Sequence, residues 1–259
     1  MILDEIIAQK KKEVAEAKSG ISQEELIERI ADGRQPQRNF KRAITQSEQI
    51  SLIGEIKKAS PSKGILRPDF QPLEIAREYQ SAGTGALSIL TDQKFFQGEL
   101  SYLERIRQIV TLPLLRKDFI IDEYQIYRSL FHGADAVLLI AGILSSEQLS
   151  YFHSLCAQLN LDAVCEVHDQ QDLEKVLSAG CLIVGINNRN LNDFSEDLKV
   201  TERLIKMIPR GKVVISESAI KSRADVKYLQ GLGIDAVLIG EAFMRSQNIT
   251  ASVRKLMGR

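Results

Sequence analysis

Residues 134–140 read Ala-Asp-Ala-Val-Leu-Leu-Ile, a nearly unbroken apolar run that comes directly after a helix-length segment and Gly133. Such a run predicts a strand buried on both faces, as in parallel sheets covered by helices. Seven further runs of similar length and composition follow residue 50. The eight predicted strands are residues 51–56, 86–90, 112–115, 134–140, 161–167, 182–186, 212–216 and 236–240.

The segments between these runs have the apolar periodicity of amphipathic helices. They are residues 73–82, 100–109, 122–132, 146–158, 171–179, 198–208 and 221–230. Four of the predicted helices are followed by a glycine that favours the left-handed conformation ending a helix, namely Gly83, Gly133, Gly180 and Gly233.

This alternation of strands and helices predicts an α/β fold, a (β/α)8 TIM barrel. A doubly wound open sheet is the alternative. It would need about five or six strands and usually a glycine-rich phosphate loop after the first. The chain contains neither G-x-G-x-x-G nor G-x-x-x-x-G-K-[ST], so the barrel is favoured.

The first 48 residues have a different pattern, with apolar residues at helical spacing among many lysines and glutamates. Residues 22–25, Ser-Gln-Glu-Glu, form a capping-box signature before a second apolar face, and Gly33 is expected to end that helix. We therefore predict a single domain over residues 1–259, with a two-helix N-terminal extension over 1–48 and the barrel over 49–259.

Composition excludes several classes of protein. The 34 Lys and Arg residues balance 34 Asp and Glu residues, and this zero net charge argues against a nucleic-acid partner. The three cysteines form no C-x-x-C pair and predict reduced, buried thiols. The chain has neither the apolar core of a signal peptide nor the roughly 18 apolar residues of a membrane span. We expect a cytoplasmic protein without a membrane partner.

Charged or amide side chains stand at the C-terminal ends of six predicted strands. They occur within residues 55–57, 116–118, 165–167, 187–189, 216–218 and 240–241. Active sites of barrels lie at these ends of the strands. Burying so many polar groups in one ring is costly unless they are paired or used. The pattern therefore predicts a functional site there.

The residue types in this ring indicate acid–base chemistry. Lys57 and Lys117, with the carboxylates Glu55 and Glu166, can tune one another's pKa values by proximity. A lysine that protonates a carbonyl opposite a glutamate that accepts a proton suits elimination or condensation. An aldolase that forms a Schiff base also has a lysine on a barrel strand, so this pattern alone does not separate the two. A catalytically inactive barrel that binds phosphorylated metabolites is a third possibility.

A phosphate site is predicted in the loops after the last two strands, where barrels frequently bind phosphate. These loops contain residues 218–220 and 239–242, and Gly240 permits a close backbone approach. Residues 60–64, Ser-Pro-Ser-Lys-Gly, could close over the same group. His132, His153 and His168 lack metal-ligand spacing and are expected at the surface or at helix ends, so no metal is predicted.

Six motifs in order resemble those of the indole-3-glycerol-phosphate synthase family. They are residues 55–64, 115–120, 166–167, 185–191, 216–218 and 239–242. The resemblance covers nearly the whole chain, including the extension. It implies a lyase of tryptophan biosynthesis that acts on a small phosphorylated substrate without cofactor or metal. The implied reaction converts 1-(2-carboxyphenylamino)-1-deoxyribulose 5-phosphate to indole-3-glycerol phosphate, CO2 and water.

The resemblance also implies roles for the catalytic residues. Lys117 would be the general acid that acts on the substrate carbonyl during ring closure, and Glu166 would be the general base in the later dehydration. Lys57 would hold the anthranilate carboxylate and share proton transfers with Lys117, while Glu55 orients the two lysines.

The remaining implied residues would bind the substrate. Asn187 and Glu217 would form hydrogen bonds to it with support from Arg189, and Phe119 would pack against its aromatic ring. The phosphate would be held by Ser60 and by the loops that contain Ser218, Ala219, Gly240 and Glu241. A monomer is compatible with this resemblance.

Ala219 departs from the family pattern, which often has glycine at this position. An alanine forced to adopt a positive φ would carry roughly 1 kcal/mol or more of strain. Its backbone N–H would still be available to phosphate. We therefore expect a slightly altered phosphate affinity with function retained.

Overall fold

The computed structural model describes residues 2–33, 35–190 and 194–259, so Leu191 of the sequence motif lies outside the described residues. Its strands are β1 Ser51–Ile56, β2 Ala59–Ser60, β3 Gly64–Ile65, β4 Ala86–Leu90, β5 Leu114–Lys117, β6 Ala136–Ile140, β7 Asp162–Val167, β8 Ile183–Asn187, β9 Val213–Glu217 and β10 Ala236–Ile239. Strands β2 and β3 form a small antiparallel hairpin. The other eight are parallel and form a closed barrel, which confirms the predicted fold.

The helices follow the strands as the sequence pattern predicts. They are α1 Ile2–Gly20, α2 Gln23–Gly33, α3 Phe40–Thr45, α4 Pro72–Ser81, α5 Ser101–Arg107, α6 Glu123–Phe131, α7 Ser146–Gln158, α8 Gln170–Ser178, α9 Lys199–Ile205, α10 Arg223–Gly231, α11 Glu241–Met244 and α12 Ile249–Met257. The four glycines predicted to end helices have φ values between 74° and 84°. Among the described helices, none is both long and apolar enough to cross a membrane.

The barrel closes where β1 pairs with β10 on one side and with β4 on the other. Because side chains alternate between the two faces of a strand, every second residue points into the barrel. An inner apolar layer therefore lies beneath a polar layer at the C-terminal ends. On four strands these two layers are Ile53 and Glu55, Leu115 and Lys117, Val164 and Glu166, and Ile215 and Glu217.

Both predicted helices of the extension are present, and a third short helix, α3, was not predicted. Its Phe40 and Ile44 are fully buried and pack against the inner apolar layer. The backbone N–H of Arg38, just before α3, donates to Asp135 Oδ1 over 2.7 Å. The extension therefore closes the N-terminal end of the barrel.

The first two helices pack on the outside of the barrel against α6. Leu26 of α2 and Val14 of α1 are buried together with Tyr124 of α6. The hydroxyl of Tyr124 donates to the carbonyl oxygens of Ala17, at 3.0 Å, and Ile21, at 2.8 Å. These contacts fix the turn between α1 and α2 to the barrel.

Candidate active site

A cavity of about 310 Å³ opens at the C-terminal ends of the strands. It brings together twelve of the thirteen residues that the sequence predicts for the site, namely Glu55, Lys57, Lys117, Phe119, Glu166, Asn187, Arg189, Glu217, Ser218, Ala219, Gly240 and Glu241. These residues come from separate strand ends and from the loops that follow them. They meet because all the strands are parallel and closed into one ring.

Lys117 is the centre of the polar ring. Its Nζ lies 2.6 Å from Glu217 Oε2 and 3.3 Å from Glu166 Oε2. The three side chains come from β5, β9 and β7, and both carboxylates are almost fully buried. Burial lowers the pKa of Lys117, but the two carboxylates outweigh it and raise that pKa above its ordinary value. The lysine is therefore held in its protonated form.

The two carboxylates beside Lys117 differ in their protonation. Burial raises the pKa of Glu217 to about 7, although Lys117 opposes this change and Glu166 adds to it. Burial also acts on Glu166, but Lys117 and His168 outweigh it and lower the pKa of Glu166. Two carboxylates this close to one lysine titrate as a pair, in which Glu166 is the stronger acid.

Two glycines make room for the carboxylates inside the barrel. A Cβ added to Gly185 of β8 would lie 2.7 Å from Glu217 Oε1. A Cβ added to Gly240, just after β10, would overlap with the carboxyl group of Glu55. Gly240 therefore has a steric role inside the ring, in addition to the backbone approach that the sequence indicates.

Glu55 and Lys57 form a second ion pair on β1, two residues apart and hence on the same face. Burial raises the pKa of Glu55, but Lys57 and Lys117 outweigh it, so the net direction is downward. The charge of Glu55 is thus shared between the two lysines. The orienting role that the sequence resemblance implies for Glu55 stays a prediction.

The side of the cavity formed by β8 contains Asn187 and Arg189. Asn187 Nδ2 donates to Glu166 Oε1 over 3.3 Å. Arg189 Nη2 lies 2.6 Å from Glu196 and 3.4 Å from Glu241, and neither glutamate was predicted to pair with it. The arginine is thereby held at the rim of the cavity.

The loop after β9 has an unusual backbone. Ser218 and Ala219 have φ values of 64° and 63°, a left-handed conformation that favours glycine. The sequence left open whether Ala219 needs a positive φ, and the structure shows that it does. Both residues line the cavity next to Gly240 and Glu241, where the sequence predicts the phosphate site.

Ser60 is the one predicted site residue that does not line the cavity. It lies in β2, is buried, and its hydroxyl has no hydrogen-bond partner among the described residues. The hairpin formed by β2 and β3 thus points this hydroxyl inward. The predicted contact of Ser60 with phosphate stays a prediction.

The apolar wall of the cavity lies beside Lys117. Phe119 and Phe96 line the cavity, and their ring centroids are 6.1 Å apart. Leu138 and Ile140 of β6 continue this wall. A flat aromatic group can pack against it while its polar substituents face the charged ring.

Lys10 of α1 forms buried ion pairs next to this wall, and no pattern in the sequence predicts them. Its Nζ lies 2.8 Å from Asp92 and 2.9 Å from Asp118, and all three side chains are buried. Asp118 directly follows Lys117 and also pairs with Arg116 over 2.8 Å. The extension is thus joined to the strand end that carries Lys117, by a contact over more than 100 residues that leaves no local sequence signal.

His168 is a second residue near the site that the sequence did not indicate. It was expected at the surface or at a helix end, yet its Nε2 lies 3.3 Å from Glu166 Oε1. The only available sequence signal is its position two residues after Glu166, on the same face of the strand. Among the described residues, no cluster of three or more His, Cys, Asp or Glu side chains could hold a metal ion.

The comparison with protein families decides the relationship. A family model described as indole-3-glycerol phosphate synthase matches residues 3–256. The chain belongs to the indole-3-glycerol phosphate synthase family. Its relatives include the indole-3-glycerol phosphate synthase of Acetivibrio thermocellus, which is 49% identical over 98% of both chains. That of Thermoanaerobacter pseudethanolicus is 51% identical over 95% of this chain and 93% of its own.

Solved structures with low sequence identity share the fold with this member of the indole-3-glycerol phosphate synthase family. A 3-hexulose-6-phosphate synthase superposes with a TM-score of 0.64 at 14% identity, covering 81% of this chain and 99% of its own. At that identity the likeness concerns the barrel alone. The family resemblance stated from the sequence motifs is confirmed by the family model and by the relatives.

Proposed function

We propose that the chain catalyses the reaction of its family through the lysines and carboxylates of the cavity. The substrate is 1-(2-carboxyphenylamino)-1-deoxyribulose 5-phosphate, and the products are indole-3-glycerol phosphate, CO2 and water. The observation that carries the assignment of roles is the position of Lys117, whose Nζ contacts Glu217 at 2.6 Å and Glu166 at 3.3 Å inside one cavity. These contacts support the roles proposed below for the residues of the cavity.

Lys117 is the general acid of ring closure. The new carbon–carbon bond forms between the ring carbon that bears the carboxylate and the ribulose carbonyl carbon, whose oxygen gains negative charge. A protonated lysine next to that oxygen supplies a proton, and Lys117 is protonated because two carboxylates raise its pKa against the effect of burial. Glu217, with a pKa of about 7, is placed to return a proton to Lys117.

Lys57 holds the carboxylate of the anthranilate ring. A cation beside a leaving carboxylate stabilises the charged ground state and opposes loss of CO2 until ring closure provides an electron sink. The ion pair with Glu55 weakens the attraction between Lys57 and the substrate carboxylate, because the charge of Lys57 is already partly neutralised. Decarboxylation therefore follows ring closure, and the two lysines act from separate strands.

Glu166 is the general base of the dehydration that follows. It must be ionised to accept a proton, and Lys117 and His168 lower its pKa against the effect of burial. Asn187 donates to the same carboxylate and fixes its orientation. A proton passes to Glu166 from the methylene carbon that was C1 of the ribulose unit, and the hydroxyl on the adjacent carbon leaves as water with a proton from Lys117, which completes the aromatic indole.

The substrate is oriented by its two ends. The phosphate lies at the loops that contain residues 218–219 and 240–241, with Arg189 at the rim, and the aromatic ring packs on Phe119. The carboxylate of Glu241 faces this end of the cavity, where Arg189 neutralises it. Binding of phosphate thus depends on Arg189 and on backbone N–H groups.

A Schiff-base aldolase is disfavoured by the same geometry. Nucleophilic attack on a carbonyl requires a neutral amine, and lysines used in this way have lowered pKa values. Lys117 has a raised pKa and is held between two carboxylates. Borohydride added with the substrate is expected to trap no covalent adduct on the chain.

The test follows CO2 release and product fluorescence in the same reaction. The chain contains no Trp, so the indole product is read against a low background. Wild-type protein is expected to form both products in equal amounts. Because Glu166 acts after loss of CO2, Glu166→Gln should still release CO2 in a single turnover and lose roughly 10²–10⁴-fold in the rate of fluorescence increase. Equal loss of both signals in this variant would contradict the role of Glu166, and no product from wild type would contradict the function.

The cavity requires no binding partner other than a small phosphorylated molecule. We further propose that the chain is located in the cytoplasm. The three cysteines, Cys156, Cys165 and Cys181, are free and buried, which is usual for proteins of reducing compartments. Fractionation of cells that express a tagged chain tests the location. The fraction with the cytoplasmic marker is the one expected to contain the chain.

A further inference from the structure

His168 stands between two carboxylates at the end of β7. Its side chain is 17% exposed, its Nε2 lies 3.3 Å from Glu166 Oε1, and its Nδ1 lies 3.6 Å from Asp172 Oδ2. It follows Glu166 by two residues and lies just beyond the end of β7 at Val167. The cavity described above is lined by Glu166 and does not include His168.

Asp172 is itself fixed in place. It lies in the first turn of α8, where its backbone N–H donates to Asp169 Oδ1 over 2.9 Å. Its Oδ2 accepts the backbone N–H of His168 over 3.2 Å. Asp172 therefore has little freedom to move away from the imidazole.

The chemistry of an imidazole between two carboxylates favours the protonated ring. A neutral imidazole has one N–H, so one of its nitrogens would turn a lone pair toward a carboxylate oxygen. The two contacts are ion-pair contacts and not hydrogen bonds, since Nε2 has no hydrogen-bond partner among the described residues and Nδ1 lies 3.6 Å from Asp172. The positive charge of an imidazolium is attracted by both carboxylates. The other charged groups nearby are Glu217, which also favours the cation, and Lys117, on the far side of Glu166. Burial lowers the pKa of His168, but Asp172 and Glu166 outweigh it and raise that pKa above 6.5.

We propose that His168 is a positioning residue for Glu166, held as an imidazolium by Asp172. This inference rests on the proposed role of Glu166 as the general base. The positive charge of the imidazolium, 3.3 Å from Glu166 Oε1, attracts this oxygen and keeps the carboxylate ionised, while Oε2 stays next to Lys117. Asp172, His168 and Glu166 thus form a carboxylate–imidazole–carboxylate series, and only its last member touches the substrate.

The first test is the pH profile of kcat/KM for His168→Gln. Removing a positive charge 3.3 Å from Glu166 raises the pKa of that carboxyl group, so the acidic limb of the profile moves upward by about 1 pH unit. The KM at the pH optimum changes little, because His168 does not touch the substrate. His153→Gln, on α7 and outside the cavity, is the matched control and is expected to leave the profile unchanged.

The second test does not depend on activity. The coupling between two charges is reciprocal, so Glu166→Gln must lower the pKa of His168 by as much as His168 lowers that of Glu166. An NMR titration of protein labelled at the histidine ring nitrogens measures this value, with His168 assigned by its absence from His168→Gln. Asp172→Asn should also lower it, which supplies a second variant if His168→Gln does not fold.

The outcomes separate the inference from the proposed function. If wild type forms product, Glu166→Gln loses it, and the acidic limb of His168→Gln stays where it is in wild type, the inference is wrong and the function stands. If wild type forms no product, the function fails, and the NMR titration alone decides whether the two side chains are coupled. A His168 titration that is the same in wild type and Glu166→Gln overturns the proposal.

Discussion

Replacing Ala219 by glycine should stabilise the protein. Ala219 has a φ of 63° in the loop after β9, and the left-handed conformation costs an L-residue roughly 1–2 kcal/mol. Glycine adopts it freely but loses roughly 0.5–1 kcal/mol more conformational entropy on folding. The difference between the strain released and the entropy lost predicts that Ala219→Gly gains about 0.5–1 kcal/mol in the free energy of unfolding.

The gain is measured by urea unfolding of Ala219→Gly beside wild type, and by the melting temperature. For a domain of this size the expected rise in Tm is about 1–3 °C. Ala179→Gly is the matched control, because Ala179 ends α8 with a φ of −74° and has no strain to release. That variant should lose stability. Product formation by Ala219→Gly should be retained, since the substitution keeps the backbone N–H at this position of the cavity lining.

Backbone strain at Ala219 does not control stability if Ala219→Gly is no more stable than wild type while Ala179→Gly loses stability as expected. That result would mean that packing of the Ala219 methyl group outweighs the backbone strain. A large rise in KM would instead show that the rigidity of alanine orients the loop for the substrate. The two explanations can be distinguished, because methyl packing changes the free energy of unfolding and loop orientation changes the KM.

Three further predictions concern the buried charges. Gly240→Ala places a methyl group against Glu55, so kcat is expected to fall by more than tenfold. The fold, followed by circular dichroism, should persist, with a loss of about 1–3 kcal/mol in the free energy of unfolding. Lys10→Met removes the cation that contacts Asp92 and one of the two cations that contact Asp118, which keeps Arg116, and should cost about 3–5 kcal/mol in urea unfolding. Lys206→Met, at an exposed lysine, should give no such loss. The pKa of Glu217 is raised from 4.5 to about 7 in the folded state, so the native state binds more protons than the unfolded state in that window. Stability should therefore fall as pH rises from 4.5 to 7, and Glu217→Gln should flatten this slope in unfolding curves taken across the range.

The barrel could be predicted from the sequence because its strands are continuous apolar runs and its helices end at glycines. The strand at residues 51–56 was placed at its observed bounds for this reason. Helix α3 was missed because six residues with two buried apolar side chains give no periodicity. Helix α12 was missed as well, although Asn248 caps it with its side chain.

Much of the candidate site could also be predicted, because parallel strands bring their C-terminal ends together. Lys117, Glu166 and Glu217 lie far apart in the chain, and closure of the barrel brings Lys117 Nζ into contact with both carboxylates. Lys10 and His168 could not be predicted in the same way. The partners of Lys10 depend on where helix α1 packs against the barrel, and those of His168 depend on the turn after β7. Neither feature leaves a pattern in the local sequence.

Lys117 is expected to supply the proton for ring closure, the step before CO2 is lost. The most direct measurement is the rate of CO2 release and of product fluorescence by Lys117→Ala in a single turnover, with exposed Lys206→Ala as the matched control. Both signals are expected to fall together by roughly 10²–10⁴-fold in Lys117→Ala and to stay unchanged in the control. Full turnover by Lys117→Ala would show that another group supplies the proton.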